Sequence, residues 1–87
     1  MVIELPRIQE MRSRIESALQ PTALEIIDES IEHLGHEGAQ TGMGHFLVRI
    51  ASPQFEDKSL IDCHRLVYDA LGDLMQTDIH ALKIQIR

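Results

Sequence analysis

The chain has 87 residues, a hydrophobic fraction of 44% and a formal net charge of −6, which fits one small globular domain over residues 1–87. The negative charge opposes tight nonspecific binding to nucleic acid, because such binding depends on cations that neutralise phosphates. The single cysteine, Cys63, excludes an internal disulfide and any zinc or iron–sulfur site built only from the chain's own thiolates.

No apolar run has the length of a signal peptide or reaches the roughly 18–20 residues that cross a bilayer, so we expect a soluble cytoplasmic protein without a membrane role. No paired carboxylates, phosphate loop or metalloprotease motif occurs. Cys63 and His64 are neighbours whose side chains diverge on a helix, so they do not form a nucleophile–base pair. The sequence therefore predicts a protein that is not an enzyme.

The first predicted element is a helix over residues 6–19. Pro6 suits the first helical position, and Pro21 ends the helix because it disfavours the helical conformation at the residue before it. Apolar residues recur at the spacing of one buried helix face: Ile8, Met11, Ile15 and Leu19.

Two strands are predicted over residues 22–28 and 45–51, joined by a loop over residues 29–44. His45 opens the second strand, and we expect it to be an edge residue. The loop is long for so small a domain and contains four of the five glycines. Long loops in compact domains are often functional, although a hairpin tip without function is the alternative. Two histidines lie in this loop, His33 and His36, and solvent exposure without a role is the alternative for both.

A second helix is predicted over residues 60–75, opened by Ser59 and Asp62 in a capping-box pattern. A turn over residues 76–78 and a strand over residues 79–86 follow. The apolar stripe of the helix comprises Leu60, His64, Val67, Leu71 and Leu74. Its histidine is expected to be packed and structural, and the neighbouring cysteine is expected to act as a small hydrophobe.

The order of these elements predicts an α+β fold, a small αββαβ domain with a three-stranded mixed sheet and helices on one face. The first two strands should pair in antiparallel fashion, and the second and third should be parallel through a right-handed crossover. In the last strand His80 is in phase with Leu82, so spacing alone favours a core-edge histidine bonded to the backbone.

Five segments, in this order and spacing, resemble the BolA-like proteins over about residues 8–86. The most specific combination is the helix segment from His64 to Leu71 followed by His80-Ala81-Leu82. The segments are Asp28-Glu29-Ser30, His45-Phe46, Ser52 to Phe55, His64-Arg65-Leu66-Val67-Tyr68 with Ala70-Leu71, and Ile79-His80-Ala81-Leu82.

The resemblance implies a fold similar to class II KH domains and a role as an adaptor. BolA-like proteins pair with a monothiol glutaredoxin and share a bridging [2Fe–2S] cluster with it and with glutathione, in iron–sulfur trafficking or iron regulation. The resemblance implies His80 as one ligand and His33 as the other, with His36 as the alternative loop ligand. We therefore expect a monomer alone or a cluster-bridged heterodimer.

A nucleic-acid-binding transcriptional regulator is the alternative function. It is motivated by the KH-like topology and by the BolA-like proteins that are described as transcriptional regulators. Arg49, Lys83 and Arg87 are predicted on the outward sheet face, where they could form a small basic strip or simply a solvated face. Cys63 replaces a residue that is usually basic in the family. Many relatives also continue beyond the last strand, so partner contacts made by such a tail are expected to be missing.

Overall fold

The computed structural model describes residues 5–30 and 43–87, and there the elements follow the predicted order. A 3₁₀ turn over Pro53–Phe55 accompanies the main elements. The main elements are helix α1 over Pro6–Leu19, strand β1 over Ala23–Asp28, strand β2 over Gly44–Ala51, helix α2 over Leu60–Leu71, α3 over Leu74–Thr77 and strand β3 over Ile79–Ile86.

The sheet has the order β1-β2-β3, with β1 and β2 antiparallel and β2 and β3 parallel. This confirms the predicted mixed sheet. Since β2 is the central strand, its residues are hydrogen-bonded on both sides, and its side chains are covered by neighbours in both directions. The expectation that His45 is an edge residue is therefore wrong; its side chain is buried.

The helices lie on one face of the sheet, as predicted, and enclose an aliphatic core with two phenylalanines. Burial of this apolar surface is the main source of stability for so small a chain. The opposite face, which no helix of residues 5–30 and 43–87 covers, is called the open face below. The buried core comprises Ile8, Met11, Ile15 and Leu19 from α1, Phe46, Val48 and Ile50 from β2, Phe55, Cys63, Val67, Leu71, Leu74 and Ile79.

Helix α2 begins as predicted, because the Ser59 hydroxyl accepts a hydrogen bond of 3.1 Å from the backbone N–H of Asp62. Its buried stripe differs from the prediction. Leu60 is 64% exposed, whereas Cys63 is 3% exposed and occupies the core position. Cys63 thus packs as the small hydrophobe that the sequence suggested.

The predicted helix over residues 60–75 is interrupted at Gly72. This residue has φ 55° and ψ −127°, a conformation that glycine adopts and other residues avoid. After this break α3 starts a new short helix that buries Leu74. The predicted turn over residues 76–78 is therefore wrong, because α3 continues to Thr77 before β3 begins.

Arg14 joins α1 to the break between α2 and α3. Its guanidinium donates hydrogen bonds of 2.9 Å to Glu10, 2.9 Å to the carbonyl oxygen of Leu71 and 2.5 Å to Asp73. The hydrogen bond and the positive charge of Arg14 hold the pKa of the Asp73 carboxyl below its usual value of 3.8.

Replacing Asp73 with asparagine is expected to lower stability at neutral pH and to leave it unchanged in strong acid. A carboxyl whose pKa is lower in the folded than in the unfolded chain stabilises the fold above pH 3.8, and this contribution is lost as pH falls through the folded pKa. Urea unfolding of Asp73→Asn and wild type should therefore differ at neutral pH and converge below pH 3.8. Asp69→Asn, an exposed carboxylate of α2, is the control; an equal gap at both pH values would contradict the assignment.

Candidate functional site

An extra residue in β3 places His80 on the open face. Gly44 of β2 pairs with Ile79, yet the next residue, His45, pairs with Ala81, so His80 has no counterpart in β2. Such a bulge interrupts the alternation of side chains and re-aims them locally. It explains why two consecutive residues, His80 and Ala81, are exposed between Ile79 and the core-facing Leu82.

The position of His80 differs from the one that strand alternation predicted. A regular strand would place His80 on the core face with Leu82, as a core-edge residue. The bulge shifts the phase by one residue, and the side chain is exposed. An exposed imidazole on a strand is accessible to an ion or to another protein.

The structure brings a second histidine, His45, against His80. The two ring centroids lie 5.1 Å apart and the ring planes are tilted by 47°. His45 is only 7% exposed, in contrast to its neighbour. The sequence contained a usable signal for this position, because His45 is out of phase with Phe46 and Val48 and therefore faces away from the helices.

Backbone hydrogen bonds fix the start of β2 at this site. The N–H of His45 donates to the Ser30 hydroxyl at 3.1 Å, and its carbonyl oxygen accepts from the N–H of Glu29 at 2.7 Å. The N–H of Gly44 donates to the carbonyl oxygen of Asp78 at 2.9 Å. The three strands are thereby tied together at the edge where the described chain stops at residue 30 and resumes at residue 43.

The other two histidines of the predicted site, His33 and His36, lie outside the described residues. The structure therefore places His80 of the predicted ligands and adds His45 beside it. In residues 5–30 and 43–87, no three side chains among histidine, cysteine, aspartate and glutamate are grouped closely enough to hold a metal ion.

Cys63 lies in the core on the opposite side of the sheet from this site. Its thiol is buried and lies 3.8 Å from the carbonyl oxygen of Phe55. A buried thiol in apolar surroundings is neither nucleophilic nor available to a metal. Cys63 therefore does not supply a thiolate to the histidines on the open face.

A small pocket of about 50 Å³ adjoins His45 on the open face, lined also by Glu29, Phe46, Ala81 and Lys83. The ammonium group of Lys83 lies 3.3 Å from the carboxylate of Glu29, whose side chain is only 14% exposed. The positive and negative charges beside the histidines thus compensate each other.

Two of the three cations predicted on the outward sheet face, Arg49 and Lys83, are paired with carboxylates. Arg49 lies 3.1 Å from the carboxylate of Glu25 and donates a hydrogen bond of 2.8 Å to the amide oxygen of Gln85. Lys83 of β3 is paired with Glu29 on the same face. Strand pairing causes this neutralisation, because it aligns Glu25 with Arg49 across β1 and β2.

The imidazole nitrogens determine what the site can do chemically. Imidazole binds zinc, copper, iron and nickel, whereas carboxylate sites favour magnesium and calcium. Two imidazoles leave coordination positions on a metal ion for water or for ligands from another molecule.

Among the described residues, no helix is long and apolar enough to cross a membrane.

Comparison with known proteins shows the family. Residues 15–87 match the family model described as BolA-like protein. The chain is 40% identical over 79 residues to SufE-like protein 1, chloroplastic/mitochondrial, of Arabidopsis thaliana, covering 85% of this chain and 21% of that protein. It is 40% identical over 77 residues to BolA-like protein 1 of Homo sapiens, covering 88% and 54% of the two chains.

A bacterial relative and a solved structure agree with this assignment. The DNA-binding transcriptional regulator BolA of Escherichia coli strain K12 is 30% identical over 76 residues, which cover 87% of this chain and 70% of that protein. The structure of the BolA domain of SufE1 from Arabidopsis thaliana superposes with a TM-score of 0.84 and 39% identity, covering 98% of this chain and 94% of the other.

These relatives also show the extent of the likeness. The chain spans about a fifth of the length of the SufE-like protein and about half that of the human protein. None of these relatives bears the name of an enzyme. The matched family model, the identities and the agreement of the folds lead to one conclusion: the chain belongs to the BolA-like protein family.

Proposed function

We propose that the chain is an adaptor that pairs with a monothiol glutaredoxin and shares a bridging [2Fe–2S] cluster with it and with glutathione. The role would lie in iron–sulfur trafficking or iron regulation, in the cytoplasm that the sequence predicts. The observation that carries the proposal is the exposed His80 imidazole at the sheet edge where the described chain stops at residue 30. His33 follows Ser30 by only three residues in the sequence.

His80 and a loop histidine of the chain would hold one iron of the cluster. We propose His33 as the loop ligand and keep His36 as its alternative. Since Cys63 is buried on the other side of the sheet, the thiolates for the second iron must come from the partner and glutathione. Histidine ligation raises the reduction potential of a [2Fe–2S] centre above that of an all-thiolate centre.

Reconstitution with a purified monothiol glutaredoxin tests the proposal. The two proteins are mixed anaerobically with glutathione, ferric iron and sulfide, and the products are separated by gel filtration. A coloured heterodimer should form whose visible spectrum differs from that of the glutaredoxin treated in the same way alone. If the two proteins elute separately and the spectrum is that of the glutaredoxin, the proposal fails.

Single substitutions in the same assay distinguish the roles of the two loop histidines. His33→Ala should remove or reshape the heterodimer spectrum, while His36→Ala should leave it unchanged. The reverse result would assign the loop ligand to His36. Unchanged spectra in both variants and in the double variant would exclude a histidine ligand from this loop.

We propose DNA binding as the second candidate function, because the Escherichia coli relative is named a DNA-binding transcriptional regulator. The charge distribution favours this less than the first proposal. Arg49 and Lys83 are paired with Glu25 and Glu29, and the net charge is −6. Binding carried by phosphate contacts needs uncompensated cations.

Titration of duplex DNA at low and at moderate salt distinguishes the candidates. With the ion pairs described, we expect weak binding at both salt concentrations with little salt dependence, since few uncompensated cations contact phosphate and few counterions are released. Tight binding to a defined sequence that persists at moderate salt would instead support the regulator. The glutaredoxin assay needs no DNA, so the two results are independent.

A further inference from the structure

We propose that His45 and His80 together form a binding site for a divalent transition-metal ion, with Zn²⁺ as the probe, in the chain alone. This site differs from the proposed cluster site, because it needs neither the histidines of residues 31–42 nor a partner protein. It shares only His80 with that site. Its two ligands lie on the paired strands β2 and β3.

The distance between the rings fits one shared ion. Two imidazoles bound to one tetrahedral Zn²⁺ through bonds of about 2.0–2.1 Å have ring centroids about 5 Å apart. The His45 and His80 centroids are 5.1 Å apart. The two side chains therefore have the separation that a shared ion requires.

The angle between the rings fits as well. A metal ion bound by an imidazole nitrogen lies close to the plane of that ring. Two parallel rings in separate planes share no such position, whereas two tilted planes intersect. The observed tilt of 47° therefore allows one ion to lie in both planes.

The backbone holds the two ligands in place without an ion. His45 lies on the central strand, and both its N–H and its carbonyl oxygen are hydrogen-bonded to residues directly after β1, Ser30 and Glu29. His80 occupies the bulge between residues that pair with Gly44 and His45. Ligands on paired strands lose little conformational entropy on binding, so even two of them give measurable affinity.

The surrounding charges allow a cation at this position. Lys83 lines the adjoining pocket, and its charge is compensated by Glu29 at 3.3 Å. His80 is exposed, so water can complete the coordination of an ion bound between the rings. A neutral pair of imidazoles with water in the remaining positions is a ligand set that Zn²⁺ accepts.

Calorimetric titration of Zn²⁺ into the metal-free chain at neutral pH tests the site. The double variant His33→Ala/His36→Ala should bind one Zn²⁺ at residues 45 and 80, with an affinity within about threefold of that of the wild type. His80→Ala and His45→Gln, introduced into that double variant, should each weaken binding by at least about tenfold. His64→Ala on α2 is the matched control and should have no effect.

Nuclear magnetic resonance of the histidine side chains keeps the test valid if His45→Gln does not fold. In the folded His33→Ala/His36→Ala variant, Zn²⁺ should shift the imidazole resonances of His45 and His80 together, and both shifts should be complete at one equivalent of Zn²⁺. Loss of binding in this variant, or shifts that leave His45 unchanged, would overturn the proposal. Because no partner protein is present, either result is distinguishable from failure of the glutaredoxin proposal.

Discussion

Replacing His80 with alanine is expected to abolish or strongly reshape the visible absorbance of the reconstituted heterodimer with a monothiol glutaredoxin. His80 is the proposed ligand that the bulge places, exposed, on the open face, and alanine has no atom that binds iron. The side chain is exposed and makes no core contact, so the free energy of unfolding should change by less than about 0.5 kcal/mol. The absorbance of the heterodimer and the urea midpoint of the free variant are the two measurements.

His64→Ala is the control for this experiment, because it removes an imidazole of α2 that lies on the other side of the sheet from the site. Its heterodimer spectrum should match that of the wild type. A wild-type spectrum in His80→Ala, at full recovery of the heterodimer, would remove His80 from the ligand set.

Gly44→Ala is expected to destabilise the fold by about 1–3 kcal/mol, the usual cost of forcing an extra methyl group into a packed core. A Cβ at position 44 would lie 2.5 and 2.6 Å from two carbon atoms of the Phe46 ring and 3.2 Å from the Ser30 hydroxyl. The ring is only 2% exposed and is enclosed by the core, so it has little room to move. Urea unfolding of the purified variant measures the loss.

A double-mutant cycle with Phe46→Leu tests whether the ring causes the loss. Leucine lacks the ring atoms that the added methyl group would meet, so the double variant should lose less stability than the sum of the two single losses. Strictly additive losses would show that the destabilisation has another origin, such as a change at the Ser30 hydroxyl. If the folded Gly44→Ala variant still binds Zn²⁺, the site at His45 and His80 tolerates the change at residue 44.

Most of the fold follows from local patterns in the sequence. Pro6 and Pro21 delimit α1, and Ser59 starts α2 at the predicted residue. The order of elements and the long crossover between β2 and β3 were sufficient to predict the mixed sheet and the single helical layer. Each of these features depends on residues that are close in the sequence or on simple rules of connection.

The parts that were missed depend on pairing between distant residues. The bulge at His80 arises from its register against Gly44 and His45, which lie more than thirty positions earlier in the chain. Strand alternation alone therefore placed His80 on the wrong face. The predicted strand pairs already placed β2 at the centre of the sheet, so the expected edge position of His45 did not agree with them; His45 lies on this central strand and is 7% exposed.

The prediction of one continuous helix across Gly72 was wrong for a different reason. A single glycine inside a helical pattern is tolerated, and the pattern of apolar residues continues across it to Leu74. The structure uses the positive φ of Gly72 to end α2, and the guanidinium of Arg14 caps the carbonyl oxygen of Leu71 at this point. Periodicity cannot detect such a contact, because its two partners are 57 positions apart.

Pulsed electron paramagnetic resonance of the one-electron-reduced cluster shows whether this chain supplies an imidazole ligand to it. The heterodimer is prepared with ¹⁵N-labelled histidine in this chain and an unlabelled glutaredoxin. We predict ¹⁵N hyperfine couplings from directly bound imidazole, diminished or lost when His80 is replaced by alanine. A cluster that forms in the heterodimer without any ¹⁵N coupling would show that this chain supplies no ligand and would contradict the account.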